Sequence, residues 1–529
     1  MLLAQWYAIK GHFRIFNWAI CRSCSVSSMP KSDIFLTLVQ DPSGPTLGKG
    51  ELVYRTVARA ILAGTLAPGT RIPSSRTLAD DWRMSRNTID EALSRLLDEG
   101  LLSRRVGSGS WVSESVTPHP ALAHAAVMRG PNDAAHRALR SVSAAGNRMI
   151  GLRSRAAVPR IVPFAAGMPD LNLFPVKTWA RVASRRLRQN GRDLLEYMPP
   201  LGYQPLRQSI CRYLATARGI ACDASQLMIV NSSMQALDLI ARVLLEQGDA
   251  AWVEDPGYPN VRSTLAMTGA AVAPIPLDEE GLSVERGRAI CPEPALVHVS
   301  PTFQFPMGVT MSLARRAALL DHAGRCGAWI VEDDYVHEFA YGVPPLTALC
   351  SLDRSERVLY VGSFTSTLFP SLRLAYLRVP RMLVEAFVAV RSQLDDHTHG
   401  LDQAVLADFM DAGHFAGHVR RMRGIYRERR DALVAAGQRY LPQELRLVRV
   451  QGGMTAPLHL PAAIADQKFC DGAFDRGKLI LTPLSRFGVS EKANGVLLGF
   501  TALEARAIGP AMKKLGQLYR DARSLKKRR

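Results

Sequence analysis

Apolar positions follow two different rhythms along the chain. Near the N-terminus, Val53, Val57 and Ile61 recur every four residues, which predicts a helix over residues 51–62 with one buried stripe. Leu66-Ala67-Pro68-Gly69-Thr70 is turn chemistry, and Pro73-Ser74-Ser75 supplies an N-cap for a short helix ending near Trp82. Arg83-Met84 forms a tight turn, and Ser85 caps the next helix. There Ile89, Ala92, Leu93, Leu96 and Leu97 line an inner face, leaving Arg86, Asn87, Asp90 and Arg95 outside or flanking. Glu99-Gly100 ends that helix. Residues 101–112 are expected to form two short strands around Val106-Gly107-Ser108-Gly109, a hairpin wing.

Three helices and a wing in this order can hold a second helix in the DNA major groove, where Ser85, Arg86, Asn87 and Thr88 at its N-terminus reach base edges. The segments P-G-T-R-I-P-S-S-R-T-L-A, M-S-R-N-T-I and D-E-G-L-L-S-R-R-V-G-S-G-S-W-V closely resemble the GntR-type winged helix-turn-helix. The resemblance implies a DNA-contacting set of Arg71, Ser75, Arg76, Ser85, Arg86, Asn87, Thr88 and Ser108. Arg76 and Arg86 would touch phosphate or guanine, with the wing over the minor groove. A helical adaptor that touches no DNA is the alternative.

Residues 113–160 are rich in Ala, Arg, Pro and Ser without sustained apolar periodicity, as expected of a flexible linker. Beyond residue 160 the rhythm changes to short apolar runs alternating with longer helical patterns, which predicts a mostly parallel sheet wrapped by helices. Polar segments follow the runs at residues 227–230, 251–253, 296–299, 329–331 and 358–361. Ligands of open α/β sheets bind beyond the carboxyl ends of the strands, so the five segments should converge on one pocket. Backbone amides near Ser233 could hold a phosphate, Ser363 and Arg373 add donors, Tyr258 offers a stacking face and Asp333 an anion.

Six segments carry a more specific resemblance: F-A-A-G-M-P-D-L-N-L-F-P at 164–175, Y-M-P-P-L-G-Y at 197–203, E-D-P-G-Y-P at 254–259, Q-F-P-M-G at 304–308, E-D-D-Y at 332–335 and G-S-F-T-S-T-L-F-P-S-L-R-L at 362–374. They resemble the fold-type I pyridoxal-phosphate aminotransferases found fused to GntR heads in the MocR-type regulators. The implied fold class is α/β: a small winged helix-turn-helix joined to a mostly parallel sheet flanked by helices, with a smaller C-terminal α+β subdomain. The expected division is an N-terminal extension (1–48), the DNA-binding head (49–113), a linker (114–160), and an effector and dimerisation domain with a basic tail (161–529). The resemblance further implies that Ser233, Ser363 and Arg373 hold the cofactor phosphate, Tyr258 stacks on the pyridine, Asp333 pairs with its ring nitrogen and Tyr335 approaches the ring hydroxyl, with Met234 also among the cofactor-binding residues.

One position departs decisively. The family motif is close to G-[ST]-F-S-K-x-L-F-P-x-L-R, and its lysine forms the Schiff base with the cofactor; here that position is Ser366. No lysine occurs between Lys177 and Lys468, so a shift of register does not restore the amine. A serine hydroxyl can neither form an imine nor act as the usual proton shuttle, so ordinary catalysis is not expected. Phe303 stands where the MocR pattern has histidine, Ser232 and Ala375 where glycines are usual, and Leu497 where the substrate-carboxylate arginine aligns. Three roles for the surviving polar set stay open: sheet-end capping and packing, noncovalent capture of pyridoxal phosphate or another anion, and covalent binding.

The formal charge of +19 over 529 residues favours an anionic partner. Residues 49–112 hold ten basic and seven acidic side chains, whereas 115–160 hold seven and one and 513–529 hold eight and one, so most of the excess falls on linker and tail rather than on the head. No apolar run approaches the roughly 18 residues of a membrane span, which predicts a cytoplasmic protein with no membrane partner. Cys21 and Cys24 form a C-x-x-C without a second pair to complete a zinc site, and His397 and His399 match no metal motif, so no metal is expected. His337 stands alone, and Cys326 and Cys350 read as small core residues. Residues 1–28 lack a signal-peptide pattern; a start at Met29 and a targeting role are both open. The expected function is a homodimeric regulator, head-to-tail by the resemblance, that binds a double-stranded operator and responds to a small phosphate-bearing or amino-acid effector. A working aminotransferase with a regulatory head and a ligand-independent DNA-binding scaffold are the alternatives.

Overall fold

A computed structural model describes residues 48–105, 109–117, 146, 163–342, 347–490 and 493–527. Most of the expected N-terminal extension with Cys21, Cys24 and Met29, nearly all of the linker, the wing tip with Ser108, and the last two residues lie outside the described residues. The chain divides into two compact units, 1–141 and 142–529.

In the first unit, helices span Lys49–Leu62, Ser75–Trp82 and Arg86–Asp98. The first begins two residues ahead of the expected Glu51. Val53, Val57, Ile61, Leu78, Trp82, Ile89, Leu93 and Leu96 share one core, which is the amphipathic spacing realised as packing. Ser74 and Ser85 cap the second and third helices by accepting from Thr77 N and Thr88 N at 3.1 and 3.2 Å. Between them Arg83 adopts a left-handed φ of 51°, which redirects the chain within the turn. Strands β1 (Leu102–Arg105) and β2 (Gly109–Val112) pair antiparallel, Leu102 opposite Val112 and Arg105 opposite Gly109.

The second unit contains an eight-stranded sheet. In chain order its strands are β3 (Leu227–Val230), β4 (Ala250–Asp255), β5 (Ala271–Asp278), β6 (Gly281–Leu282), β7 (Leu296–Val299), β8 (Trp329–Asp334), β9 (Val358–Ser363) and β10 (Ala375–Arg378), and in space they run β3-β10-β9-β8-β7-β4-β5-β6. The run β9-β8-β7-β4-β5 is parallel, and β10 is antiparallel to both β9 and β3. Successive side chains go to opposite faces: Leu227 and Ile229 enter one core, Met228 and Val230 the other. Burial on both faces explains the near-continuous apolar runs.

β4, β8 and β9 run two or three residues past the ends expected from apolarity. The parallel ladder continues through Asp255, Asp333, Asp334 and Gly362, so Asp333 and Ser363 sit on strand ends rather than in the following loops. A four-stranded antiparallel sheet follows, of β11 (Arg446–Leu447), β12 (Thr455–His459), β13 (Thr482–Pro483) and β14 (Gly495–Gly499), ordered β11-β12-β14-β13. It shares a separate core with the helices His414–Tyr440, Asp466–Gly477 and Ala505–Lys527.

Candidate functional site

The head presents its candidate residues where its three-helix core leaves them. Ser85, Arg86 and Asn87 are exposed at the N-terminus of the helix Arg86–Asp98, while Thr88 is half-buried and Ile89 fully buried. Arg86 lies 3.5 Å from Asp90 in an exposed pair, an arrangement weak enough in water to be exchanged for another anion. Arg76 is exposed and Ser75 half-buried on the preceding helix. Arg71 lies over the Trp111 ring at 5.8 Å, beside Arg105 at 5.2 Å. Arg95, expected to flank the reading face, is instead structural: it stacks on Tyr54 at 3.7 Å and reaches Glu51 and Glu99 at 2.9 and 3.1 Å.

In the second unit the expected polar groups lie at or just past the strand ends. After β3, Ser232 caps the helix Ser233–Leu244, its hydroxyl accepting from Gln235 N at 3.1 Å and its carbonyl from Ala236 N. The cap leaves the amides of Ser233 and Met234 as the remaining first-turn donors. After β4, Tyr258 is 41% exposed and meets Phe305 edge-on at 5.8 Å. On β8, Asp333 is nearly buried; its Oδ1 has no hydrogen-bond partner among the described residues and its Oδ2 lies 3.7 Å from His298 Nε2. Tyr335 is half-buried, and desolvation first and the neighbouring Asp333 second push its phenol well above the usual range. At the end of β9, the Ser363 hydroxyl accepts from Thr365 N at 3.2 Å. Arg373 is exposed, with a φ of 52° that tolerates a side chain only at some strain. Ser366 is half-buried in the turn between them.

Other side chains join this region that the sequence reasoning assigned no role. Phe305 is the hub of three perpendicular ring contacts, with Tyr258, Tyr335 at 6.2 Å and Phe487 at 5.1 Å. Glu254 is buried beside a small cavity lined by Tyr258, His298 and Ser300; its carboxylate accepts from Ser300 N at 3.1 Å and Gln304 Nε2 at 3.3 Å. Burial raises its pKa to about 7 against the opposing pull of His298. A histidine interrupting the apolar strand Leu296–Val299 was the available signal for this cluster.

Two of the departures have clear packing consequences. Leu497 is fully buried in β14 against Leu484 and Phe487, with Phe305 alongside, so the position aligned to a substrate-binding arginine is apolar. Phe303 belongs to the C-terminal core, its ring so close to Gly452 that a Cβ there would lie 2.1 Å from it. His337, expected to stand alone, does not. It is buried with Nδ1 3.3 Å from Asp334 and Nε2 2.8 Å from the Tyr213 hydroxyl, because buried Asp334 needs compensating charge, which Arg218 at 2.7 Å also supplies. Among the described residues no group of three His, Cys, Asp or Glu side chains is placed to hold a metal ion. No described helix is long and apolar enough to cross a membrane.

Known proteins match both units. Residues 49–112 match the family model of bacterial regulatory proteins of the gntR family, and residues 159–496 that of aminotransferase class I and II. The chain is 36% identical over 468 residues to the probable rhizopine catabolism regulatory protein MocR of Rhizobium meliloti, covering 88% of this chain and 93% of that one. The chain belongs to the MocR-type regulators of the GntR family. The HTH-type transcriptional regulator TauR of Rhodobacter capsulatus is 34% identical, covering 74% of this chain and 80% of its own. Among solved structures, the α-aminoadipate aminotransferase LysN of Thermus thermophilus, complexed with N-(5'-phosphopyridoxyl)-L-leucine, superposes with a TM-score of 0.64 at 29% identity, covering 69% of this chain and 93% of that one. This MocR-type chain is therefore a DNA-binding transcriptional regulator whose larger domain has the fold-type I aminotransferase fold.

Proposed function

We propose that the protein is an operator-binding regulator that works in the cytoplasm as a head-to-tail homodimer, and that its aminotransferase-like domain senses a small ligand without attaching it covalently or transaminating it. Ser366 carries this reading. A bound pyridoxal phosphate supplies an aldehyde and an electron-withdrawing ring, and only an amine on the protein can condense with that aldehyde. The chain offers no lysine between Lys177 and Lys468, both of which are exposed. Catalytic residues are accordingly not assigned.

The residues present fit a phosphate-bearing ring held noncovalently. Asp333 Oδ1 is a buried acceptor with no partner among the described residues, suited to a protonated ring nitrogen. Tyr258 presents a half-exposed ring face, Tyr335 a hydroxyl, and Ser233, Met234, Ser363 and Arg373 phosphate donors. On the head, Arg71, Ser75, Arg76, Ser85, Arg86, Asn87, Thr88 and, outside the described residues, Ser108 form the proposed DNA contacts.

A competing reading, a scaffold without an effector, draws on the hydroxyls of Ser232 and Ser363, which already accept from backbone amides of their own turns. Thermal unfolding in the presence of pyridoxal phosphate, pyridoxamine phosphate and single amino acids separates the two. The sensing reading expects at least one member of the panel to raise the melting temperature and change operator affinity in a mobility-shift titration; a flat panel supports the scaffold.

A further inference from the structure

The helix Gln204–Arg218 ends at Gly219, whose φ of 67° turns the chain back, and Ile220 N donates to Leu214 O at 3.2 Å. The return brings Cys222 against Cys211 with the sulfurs 3.2 Å apart. Both cysteines are half-buried at the edge of the core that contains Leu214 and Ile220 rather than sealed inside it. A disulfide needs about 2.05 Å between sulfurs, leaving about 1.2 Å of closure, a distance that side-chain rotation can share between the two residues.

The surroundings also differentiate the two thiols. The cation of Arg378, whose buried Nε has no hydrogen-bond partner among the described residues, favours the charged form of Cys222. The hydrogen bond with Cys211, and the Arg378 cation working against burial, hold the Cys222 thiol below its usual range; the same hydrogen bond and burial push Cys211 up. These surroundings favour Cys222 as the attacking sulfur, with Cys211 beside it as the resolving thiol.

We propose that Cys211 and Cys222 are a redox modification site, forming an intrachain disulfide when the protein meets a hydroperoxide. The Cys222 thiolate attacks the peroxide O–O bond, taking one oxygen as a sulfenic acid while the other leaves as hydroxide and is protonated to water. Cys211 then attacks the Cys222 sulfur and expels the second oxygen as water, so two thiols are oxidised and one hydrogen peroxide is reduced to two waters. The link ties the helix to the segment in which Asp223 caps the turn Ala224–Gln226 leading into β3, the strand followed by Ser232 and Ser233. It does not depend on what occupies the pocket.

Tryptic mapping of the full chain tests this directly. Cleavage after Arg207, Arg212, Arg218 and Arg242 puts the two cysteines on separate peptides, 208–212 and 219–242. After treatment with hydrogen peroxide and alkylation of remaining thiols, the two peptides are expected joined, lighter than their sum by two hydrogens, and released by dithiothreitol. Cys211→Ser and Cys222→Ser should each abolish the joined species. Recovery of both wild-type peptides separately alkylated, oxidation of Cys222 to sulfinic acid without a link, or linkage of 219–242 to another cysteine peptide overturns the proposal, and the wild-type map decides even if a serine variant folds poorly.

Discussion

The DNA-binding head and the strand ends of the sheet domain use polar residues in opposite ways. In the head, Arg86 and Asn87 stay in solvent while Ile89, Leu93 and Leu96 beneath them hold the fold. In the sheet domain, Glu254, His298, Glu332 and Asp334 are buried at strand ends and must find partners inside the protein. The head therefore separates function from stability, whereas the region around the pocket couples them. Substitutions should expose that difference, beginning with the interactions buried deepest.

Arg218→Ala should have the largest effect. It removes the guanidinium 2.7 Å from Asp334 and leaves a buried carboxylate with His337 and Tyr360, a loss of about 3–5 kcal/mol. Denaturant unfolding of the sheet domain measures it; an unchanged midpoint would break the claim that this region couples polar chemistry to the fold.

Glu254 should govern part of the pH response. Its carboxyl, raised by burial from 4.5 to about 7, holds a proton in the folded protein that the unfolded chain has released. Stability from this group is therefore complete below about pH 4.5 and declines as pH rises through about 7, by up to about 3 kcal/mol. Asp334 acts in the other direction: with burial outweighed by His337 and Arg218, its pKa is lowered, and its contribution is lost as pH falls. Glu254→Gln should flatten the decline between pH 5 and pH 8 in unfolding curves; an unaltered slope would assign the decline elsewhere.

Asp333→Ala sharpens the comparison at the pocket itself. A ligand supplied at about one hundred times its dissociation constant should stabilise the wild type by about 2.7 kcal/mol, and the variant by much less. An equal ligand-induced shift in melting temperature would exclude Asp333 from the site.

Arg86→Ala should have the smallest effect on the fold, within about 0.5 kcal/mol, because the side chain is exposed. Its effect should appear in operator binding, as a loss of about 1–3 kcal/mol and relaxed preference at one base pair. A mobility-shift titration with unchanged affinity and specificity would remove the base contact.

The same difference explains what the sequence made legible. Helical spacing and serine caps are local, so the head's three helices were evident within two residues. All five expected apolar runs form strands, but β4 and β8 run past their apolar ends because charged residues continue the parallel ladder at Asp255, Asp333 and Asp334, and β5, β10, β12 and β14 are not marked by the polar segments that signal the five. Absence of the cofactor lysine was legible because a motif surrounds Ser366. The roles of His337, His298, Phe305 and Glu254 were not, since each depends on partners far apart in the chain, such as Tyr213 with His337 or Tyr258 and Phe487 around Phe305. The two-residue strands β11 and β13 carry too little pattern to be recognised alone.

With Ser366 in place of the lysine, a domain of aminotransferase fold is expected to form no covalent bond to pyridoxal phosphate. Purified protein incubated with pyridoxal phosphate, reduced with borohydride and mapped by mass spectrometry beside Ser366→Lys tests this. The wild type should carry no phosphopyridoxyl adduct on any peptide from residues 227–375 and the variant an adduct at position 366; a stoichiometric adduct on a wild-type peptide from that range would show that covalent binding survives.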